Sequence, residues 1–327
     1  MTEQMDKIRE LVVRDYFTPN IKAEVVLDTL LTPYVAKIIK NQRERVFGGD
    51  GDFDGELVFI TKEMSVRESE ESKNGSEYGN RGIKIDYVLG DKKTIYLVEL
   101  KTTGSGIDPE QAERYFDNCR GEDGKPKTFG EVFGNKLLSV MKESFGDTYK
   151  NSFPKPSKYD KAEKPMWDND EALWEAFSLV FESPRLGKKY LEEKYSMKEP
   201  SAKHAEAAME LIRRADWTQK HSSRKYLYTA GQILDYLYKY PEQKGLLWDR
   251  PLRLIYLTPK GEPPIQFDKK RFDKKTKEKE WRNFYAGSVS LIQAGKYLAG
   301  EYQKENQGDE LALLLSGIVE DIYKEEG

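Results

Sequence analysis

Two strand-like runs joined by a short turn leave this chain fewer folding alternatives than any other part of its sequence. The runs are Gly82–Leu89 and Thr94–Lys101, and the residues between them, Gly90-Asp-Lys-Lys, are typical of a turn. Together they predict a β-hairpin whose second strand is apolar up to a Glu-Leu-Lys ending. A purely helical protein would leave this hairpin unexplained.

Helical patterns lie on both sides of the hairpin. The first 45 residues have apolar positions at helical spacing, with breaks expected near Pro19 and Pro33. Another helix is expected to start at Asp108-Pro109, with Asp108 as its N-cap and the proline in its first position. Residues 285–325 predict two closing helices, split near Asn306.

Two further strands complete the predicted sheet. They are expected at Glu56–Ile60 and Leu252–Leu257. An acidic, serine-rich stretch, residues 63–77, is predicted to form a loop between the first strand and the hairpin. This order of elements predicts an α/β (α+β) fold, with a central mixed sheet flanked by helices.

The predicted organisation is a single domain over residues 1–327. Its core is expected in about residues 20–120 and 225–260. A large, mainly helical insertion is expected at about 121–224, before the last core strand, and C-terminal helices at about 283–325.

Asp86, Glu99 and Lys101 are expected on one face of the hairpin. Side chains alternate along a strand, so Glu99 and Lys101 point the same way. With a two-residue loop at Asp91-Lys92, or a four-residue loop around it, Asp86 lies opposite Leu97 on that face. Glu99 is then its diagonal neighbour, at roughly 7–8 Å between backbones. A three-residue loop would turn Asp86 to the opposite face.

Two carboxylates and a lysine at the end of buried strands predict a metal site. Like charges repel, and burying them costs several kcal/mol unless something compensates. Mg²⁺ prefers oxygen ligands, takes one or two protein carboxylates, and completes its shell with water and substrate phosphate. The lysine then stabilises an attacking hydroxide or the charge that builds up on the phosphoryl group. The predicted chemistry is metal-assisted phosphodiester hydrolysis with Mg²⁺, for which Mn²⁺ can substitute.

A surface hairpin with a cross-strand ion pair between Lys84 and Glu99 is the alternative interpretation. Glu-x-Lys is common in a chain with 34% charged residues, and three further copies start at Glu71, Glu192 and Glu242. None of those copies follows an apolar strand that has an aspartate in the strand before it. This context favours the metal-site interpretation.

The hairpin residues resemble the PD-(D/E)xK nuclease superfamily, which has a restriction-endonuclease-like fold. Its pattern is an acid in the second core strand and Glu-x-Lys in the third, matched here by Asp86 and by Glu99-Leu100-Lys101. The resemblance covers roughly residues 20–120 and the strand near 252–258. It implies that Asp86, Glu99 and the backbone carbonyl of Leu100 bind metal. It also implies that Lys101 is catalytic.

A subset of that superfamily, related to the RecB nuclease domain and to phage exonucleases, adds Gln-x-x-x-Tyr in the next helix. Gln111-Ala-Glu-Arg-Tyr115 has this pattern ten residues after Lys101, which implies that Gln111 and Tyr115 orient the substrate or the site. A second copy, Gln232 to Tyr236, precedes the strand at 252–257, where the core helix of the family often lies. The closeness to Lys101 favours the first pair, and either pair could be an ordinary helix face.

The family commonly places one more acid on its first core helix, and Glu24 is the best match. Apolar residues flank it at helical spacing, at Ile21, Leu27 and Leu31, so Glu24 lies near the buried stripe. The resemblance implies that Glu24 is a further metal ligand. The alternative is that it lies at the rim of the stripe and pairs with a lysine such as Lys22.

Two basic stretches predict a nucleic-acid partner. Residues 184–225 hold 11 bases and 6 acids, and residues 269–282 hold 8 bases and 3 acids, both with aromatic residues interleaved. The alternative for each is a solvated helix face or loop. The net charge of −3 does not exclude this partner, because residues 301–327 alone hold 8 acids and 2 bases. DNA is expected in preference to RNA.

Composition narrows the remaining function classes. One cysteine, Cys119, excludes an internal disulfide framework, and two histidines make histidine-based metal chemistry unexpected. No apolar run approaches the roughly 18 residues of a membrane span, and the N-terminus has no signal-peptide core, so no membrane partner and a cytoplasmic location are expected. The oligomeric state and the choice between exo- and endonuclease stay open.

The predicted function is therefore a Mg²⁺-dependent nuclease that hydrolyses DNA. The alternative, from another class, is a non-catalytic nucleic-acid-binding or assembly protein built on the nuclease fold. Loss of an acid or of the lysine usually accompanies such a change. Both acids and the lysine are present here, which favours the enzyme.

Overall fold

The structure is a computed structural model of the 327-residue chain. It describes residues 3–16, 23–48, 51–66, 83–103, 108–134, 232–233, 236, 239–240, 247–264, 275–304 and 309–324. Pro19, the predicted insertion beyond residue 134, and the basic stretch 184–225 lie outside these residues.

The helices follow the predicted pattern at both ends of the chain. At Pro33 the first helical region narrows to a 3₁₀ turn, which confirms the predicted break. The two closing helices are also confirmed, and the Asp309 carboxylate caps the second by accepting from the amides of Leu311 and Ala312. The helices are α1 (Glu3–Tyr16), α2 (Ala23–Leu31), α3 (Val35–Asn41), α4 (Arg43–Phe47), α5 (Pro109–Cys119), α6 (Lys275–Phe284), α7 (Leu291–Lys304) and α8 (Glu310–Tyr323).

Five strands form one mixed sheet flanked by helices, as the sequence predicted at the level of fold class. Their order in the sheet is β1-β2-β3-β4-β5. Strands β4 and β5 run parallel, with Leu254 opposite Tyr285 and Thr258 opposite Ser290. The strands are β1 (Val58–Val66), β2 (Ile83–Gly90), β3 (Ile95–Leu100), β4 (Leu252–Thr258) and β5 (Tyr285–Ser290).

Two strands differ from the prediction. β1 begins two residues later than expected and continues to Val66, so it includes the start of the stretch that we expected to be a loop. β5 occupies a segment that we expected to be helical, and the strand at 252–258 is therefore not the last one. The sequence of β5, Tyr-Ala-Gly-Ser-Val-Ser, has little apolar alternation, and it is a strand because β4 supplies a parallel partner.

A glycine in β5 lets helix α4 approach the sheet closely. A Cβ atom added at Gly287 would lie 2.1 Å from the backbone oxygen of Arg45 and 2.9 Å from the Cα of Val46. These neighbours are backbone atoms, which cannot move aside as a flexible side chain would. Only glycine fits at this position without a shift of α4 or β5.

The hairpin turn has two residues, as predicted, but they are Lys92 and Lys93. The amide of Asp91 donates to the carbonyl of Thr94 at 3.0 Å. The Asp91 carboxylate accepts from the amides of Lys93 and Thr94, both at 2.8 Å, and this places the turn one residue later than expected. The predicted loop at Asp91-Lys92 is therefore wrong, and so is the pairing of Asp86 with Leu97 that it implied. The even number of loop residues, which the same-face prediction for Asp86 requires, is retained.

The chain divides into two compact units, each assembled from segments far apart in sequence. The first comprises Met1–Phe59, Tyr96–Phe116 and Arg253–Gly327, and the second Ile60–Ile95 and Asp117–Leu252. The proposal of a single domain over 1–327 stays a prediction.

Helix packing and an ion pair between α1 and α8 stabilise the first unit. Helix α8 packs against α1, α2 and α7. Arg9 on α1 donates to both carboxylate oxygens of Asp321 on α8, at 2.6 and 2.7 Å. This bidentate contact fixes the position of α1 on α8.

Aromatic packing characterises the second unit. Phe129 stacks on Trp248 with ring centroids 5.2 Å apart, and it also contacts Phe133 at 5.1 Å. All three side chains are buried. One isolated bridge pairs Arg120 with Pro126 inside residues 120–134, and a second pairs Thr128 of that segment with Pro251.

We expect Gly287→Ala to destabilise the protein, because the new methyl group would overlap the backbone of α4. Overpacking of this kind costs about 1–3 kcal/mol in the free energy of unfolding. Gly300→Ala is the matched control, since Gly300 lies on α7 with no atom within 4 Å of an added Cβ. It should stabilise by roughly 0.5–1 kcal/mol, as alanine favours helix. Urea denaturation of both variants tests this, and equal effects would contradict it.

Candidate active site

Glu99 is a charged side chain in a strand that is buried throughout. All six residues of β3 are buried, and Glu99 itself is 3% exposed. The run Ile-Tyr-Leu-Val-Glu-Leu is what a strand covered on both faces requires, apart from its glutamate. Lys84, the partner expected in a surface hairpin, lies 3.3 Å from Glu63. The burial of Glu99 contradicts the surface-hairpin interpretation of this segment.

Three donors surround the Glu99 carboxylate. The Lys101 ammonium lies 2.8 Å from Oε1, and the Gln111 amide donates to the same oxygen at 2.9 Å. The Tyr115 hydroxyl donates to Oε2 at 2.8 Å and accepts from the Gln111 amide at 2.9 Å. Two neutral donors and one cation therefore satisfy this buried carboxylate. We call Glu99, Lys101, Gln111 and Tyr115 the Glu99 cluster.

The backbone after β3 fixes the position of Lys101. Its amide donates to the carbonyl of Leu257 on β4 at 2.8 Å, so the chain stays paired with the sheet past the end of β3. The carbonyl of the next residue, Thr102, accepts a hydrogen bond from the Tyr323 hydroxyl at 2.7 Å. Sequence reasoning missed Tyr323, because no local signal connects it to a residue 221 positions earlier.

Helix α5 brings Gln111 and Tyr115 to the cluster. The Asp108 carboxylate accepts from the amide of Glu110 at 2.9 Å, which confirms the predicted N-cap, and Pro109 is the first helical residue. Residues four apart lie on one face of a helix. Starting α5 at Pro109 therefore presents Gln111 and Tyr115 together to Glu99.

Burial raises the pKa of Glu99 above its usual range. The Lys101 ammonium and the hydrogen bonds from Lys101, Tyr115 and Gln111 oppose this rise. A carboxylate held in this balance responds strongly to any added or removed positive charge.

The other predicted ligands lie at three places. Asp86 is half-buried on β2 in the second unit, and its position relative to Glu99 stays a prediction. Leu100 ends β3 and is 1% exposed. Glu24 belongs to α2, but its side chain lies outside the described part of the structure.

The second Gln-x-x-x-Tyr pair has other neighbours. The Gln232 side-chain oxygen accepts from the Thr61 hydroxyl and, at 3.0 Å, from the Lys62 amide, both on β1. Tyr236 packs against Tyr240 with ring centroids 5.3 Å apart. The structure thus brings Gln111 and Tyr115 to Glu99, whereas the contacts described for Gln232 tie it to β1.

Two further observations concern residues outside the cluster. Cys119 is buried, and burial raises its thiol pKa to about 12, as expected of a packed residue. Within the described ranges, no helix combines the length and the apolar character needed to cross a membrane.

Comparison of the chain with protein-family models, with curated proteins and with solved structures found no match. The resemblance to the PD-(D/E)xK superfamily therefore stays a prediction, which rests on the residues quoted above.

We expect Lys101→Met to destabilise the protein by about 3–5 kcal/mol at neutral pH, because it leaves the Glu99 carboxylate buried without its cation. The folded-state pKa of Glu99 is already raised, so its contribution to stability is present below the ordinary carboxyl pKa and is lost as pH rises through the raised value. The loss caused by Lys101→Met should therefore shrink on acidification.

Denaturation at about pH 5 and about pH 8 measures this difference. The double variant Glu99→Gln/Lys101→Met removes both charges, so it should lose less stability at the higher pH than Lys101→Met alone. If Lys101→Met lowered the free energy of unfolding equally at both pH values, the assigned role of Glu99 would be contradicted.

Proposed function

We propose that this protein is a divalent-metal-dependent nuclease, with DNA as its substrate in preference to RNA. The observation that supports this most directly is the Glu99 cluster, in which a buried carboxylate contacts a lysine, a glutamine and a tyrosine. A packed core does not need a buried carboxylate, and burying one is costly. Such groups are concentrated at functional sites.

The residues fit a hard cation such as Mg²⁺ or Mn²⁺. An ionised carboxylate has about four acceptor positions, and the described contacts of Glu99 use three of them. Mg²⁺ needs only one or two protein carboxylates. The proposed ligands are Glu99, Asp86 and the carbonyl of Leu100, with Glu24 as a further candidate. Within the described residues, no three His, Cys, Asp or Glu side chains are grouped as a metal site.

Each residue of the cluster has a proposed role. When bound, a divalent cation stabilises negative charge on the phosphate and makes a bound water more acidic. Lys101 places its ammonium beside the reacting phosphate, where it stabilises the charge of the transition state. Gln111 and Tyr115 hold the Glu99 carboxylate in one orientation, as partners of a metal ligand commonly do.

A particular fold is proposed together with this function. A mixed sheet flanked by helices is compatible with a restriction-endonuclease-like core, and we propose that core for this chain. A cytoplasmic location is proposed with it. A nucleic-acid-binding protein without activity is the outcome that a failed cleavage assay would favour.

We expect Glu99→Gln to abolish cleavage while the protein stays folded, because glutamine has the same shape but lacks the charge that holds a cation. The rate should fall at least about 10²-fold. Linear, circular and single-stranded DNA and RNA would be incubated with Mg²⁺ or with EDTA. Glu110→Gln is the matched control, since Glu110 is exposed on α5. Nucleic acid left intact by the unaltered protein with Mg²⁺ and with Mn²⁺ would refute the proposal.

We expect Gln111→Ala to slow cleavage by about 10–100-fold, because it removes a partner that orients Glu99. Gln232→Ala should leave the rate of the folded protein unchanged and lower its stability, since Gln232 bonds to β1. Rates and denaturation midpoints would be measured for both. The reverse result would assign the site to the second pair.

A further inference from the structure

A second candidate site lies beside strand β5, and no residue of the Glu99 cluster lines it. It is an open pocket of about 470 Å³, within the first unit, formed by parts of α4, β4, α6 and β5. Three arginines line it: Arg45, Arg253 and Arg282. None of the residues that line it is acidic. We call it the arginine pocket.

Arg45 is held in place by its neighbours. Its Nε donates to the Gln293 side-chain oxygen at 3.1 Å, and Nη1 donates to the carbonyl of Lys260 at 3.4 Å. Gly261 has a φ of +79°, and a Cβ there would lie 2.2 Å from Arg45 Nη1. A side chain at position 261 would therefore displace the guanidinium.

The other wall of the pocket is also specified by contacts. Arg253 Nη2 donates to the carbonyl of Tyr285 at 3.4 Å. The Tyr285 ring stacks on Trp281 with centroids 5.3 Å apart. The Tyr285 hydroxyl is hydrogen-bonded to the Ser288 hydroxyl at 2.6 Å. Burial raises the pKa of Tyr285 to about 12, so its hydroxyl stays neutral and does not repel an anion.

One acid beside the lining in sequence is engaged within its own loop. Glu262 follows Gly261, and its carboxylate accepts from the Thr258 hydroxyl and the Lys260 amide, both at 2.9 Å. The lining itself has three guanidinium groups and no carboxylate, which favours an anionic ligand.

We propose that the arginine pocket binds a phosphate group, carried by a free nucleotide or by a nucleic-acid strand. Guanidinium groups bind phosphate through paired hydrogen bonds, and a phosphate has enough oxygens to contact several of them. The volume lies in the range of small-molecule sites, about 300–1,000 Å³, and leaves room for a group attached to the phosphate. Arg282 also ends the basic stretch 269–282. This inference does not depend on the nuclease proposal.

The test compares Arg45→Gln and Arg282→Gln with Arg43→Gln. Arg43 is the matched control, because it lies on α4 with Arg45, is exposed like it, and does not line the pocket. Arg45 and Arg282 are both exposed, so the variants should fold, and circular dichroism melting checks this. Calorimetry with inorganic phosphate and adenosine monophosphate measures the free ligands. Fluorescence anisotropy with a labelled single-stranded oligonucleotide in EDTA measures the strand.

We expect saturable binding that each pocket variant weakens by about tenfold or more and that Arg43→Gln leaves unchanged. Binding of the monophosphate identifies a nucleotide site. Binding of the oligonucleotide but not of the free ligands identifies a strand contact. In that case each pocket substitution should reduce the slope of log K against log salt concentration by about one. Absence of binding for all three ligands, or equal losses in Arg43→Gln, overturns the proposal. These measurements follow binding without cleavage, in EDTA for the oligonucleotide, so their outcome is distinguishable from failure of the nuclease proposal.

Discussion

The buried carboxylate of Glu99 governs how the rest of the described site is built. It lies in β3, whose six residues are all buried, so it cannot reach bulk water for solvation. An ionised group in such a position requires donors from the protein itself. The lysine at the end of the same strand and two side chains of α5 supply them.

That requirement explains several features around the site. The donors must be placed to within hydrogen-bond distance, so the chain after β3 stays paired with β4 through Lys101 and is held by Tyr323 at Thr102. The N-cap at Asp108 sets the start of α5 and thereby the face that carries Gln111. A small shift of any of these elements would leave the carboxylate with fewer donors.

The arginine pocket depends on a different requirement, the close approach of backbones. Gly287 and Gly261 leave space where a Cβ would overlap Arg45, at the backbone oxygen in one case and at the guanidinium in the other. These glycines bring α4 against β5 and let a charged side chain lie along the turn after β4. The two sites thus use opposite means: one surrounds a buried anion with donors, and the other gathers cations around an open space.

Local sequence patterns were enough to predict the hairpin, from its strand-like runs and turn residues, and the start of α5, from the N-cap at Asp108 and the proline in the first position. They placed Glu99 at the end of buried strands and favoured Gln111 over Gln232, but they did not predict the contact with Tyr323 or that Tyr285–Ser290 is a strand. Local rules act between residues a few positions apart. By contrast, the contacts around Glu99 and the pairing of β5 with β4 arise between segments that meet only in the folded chain.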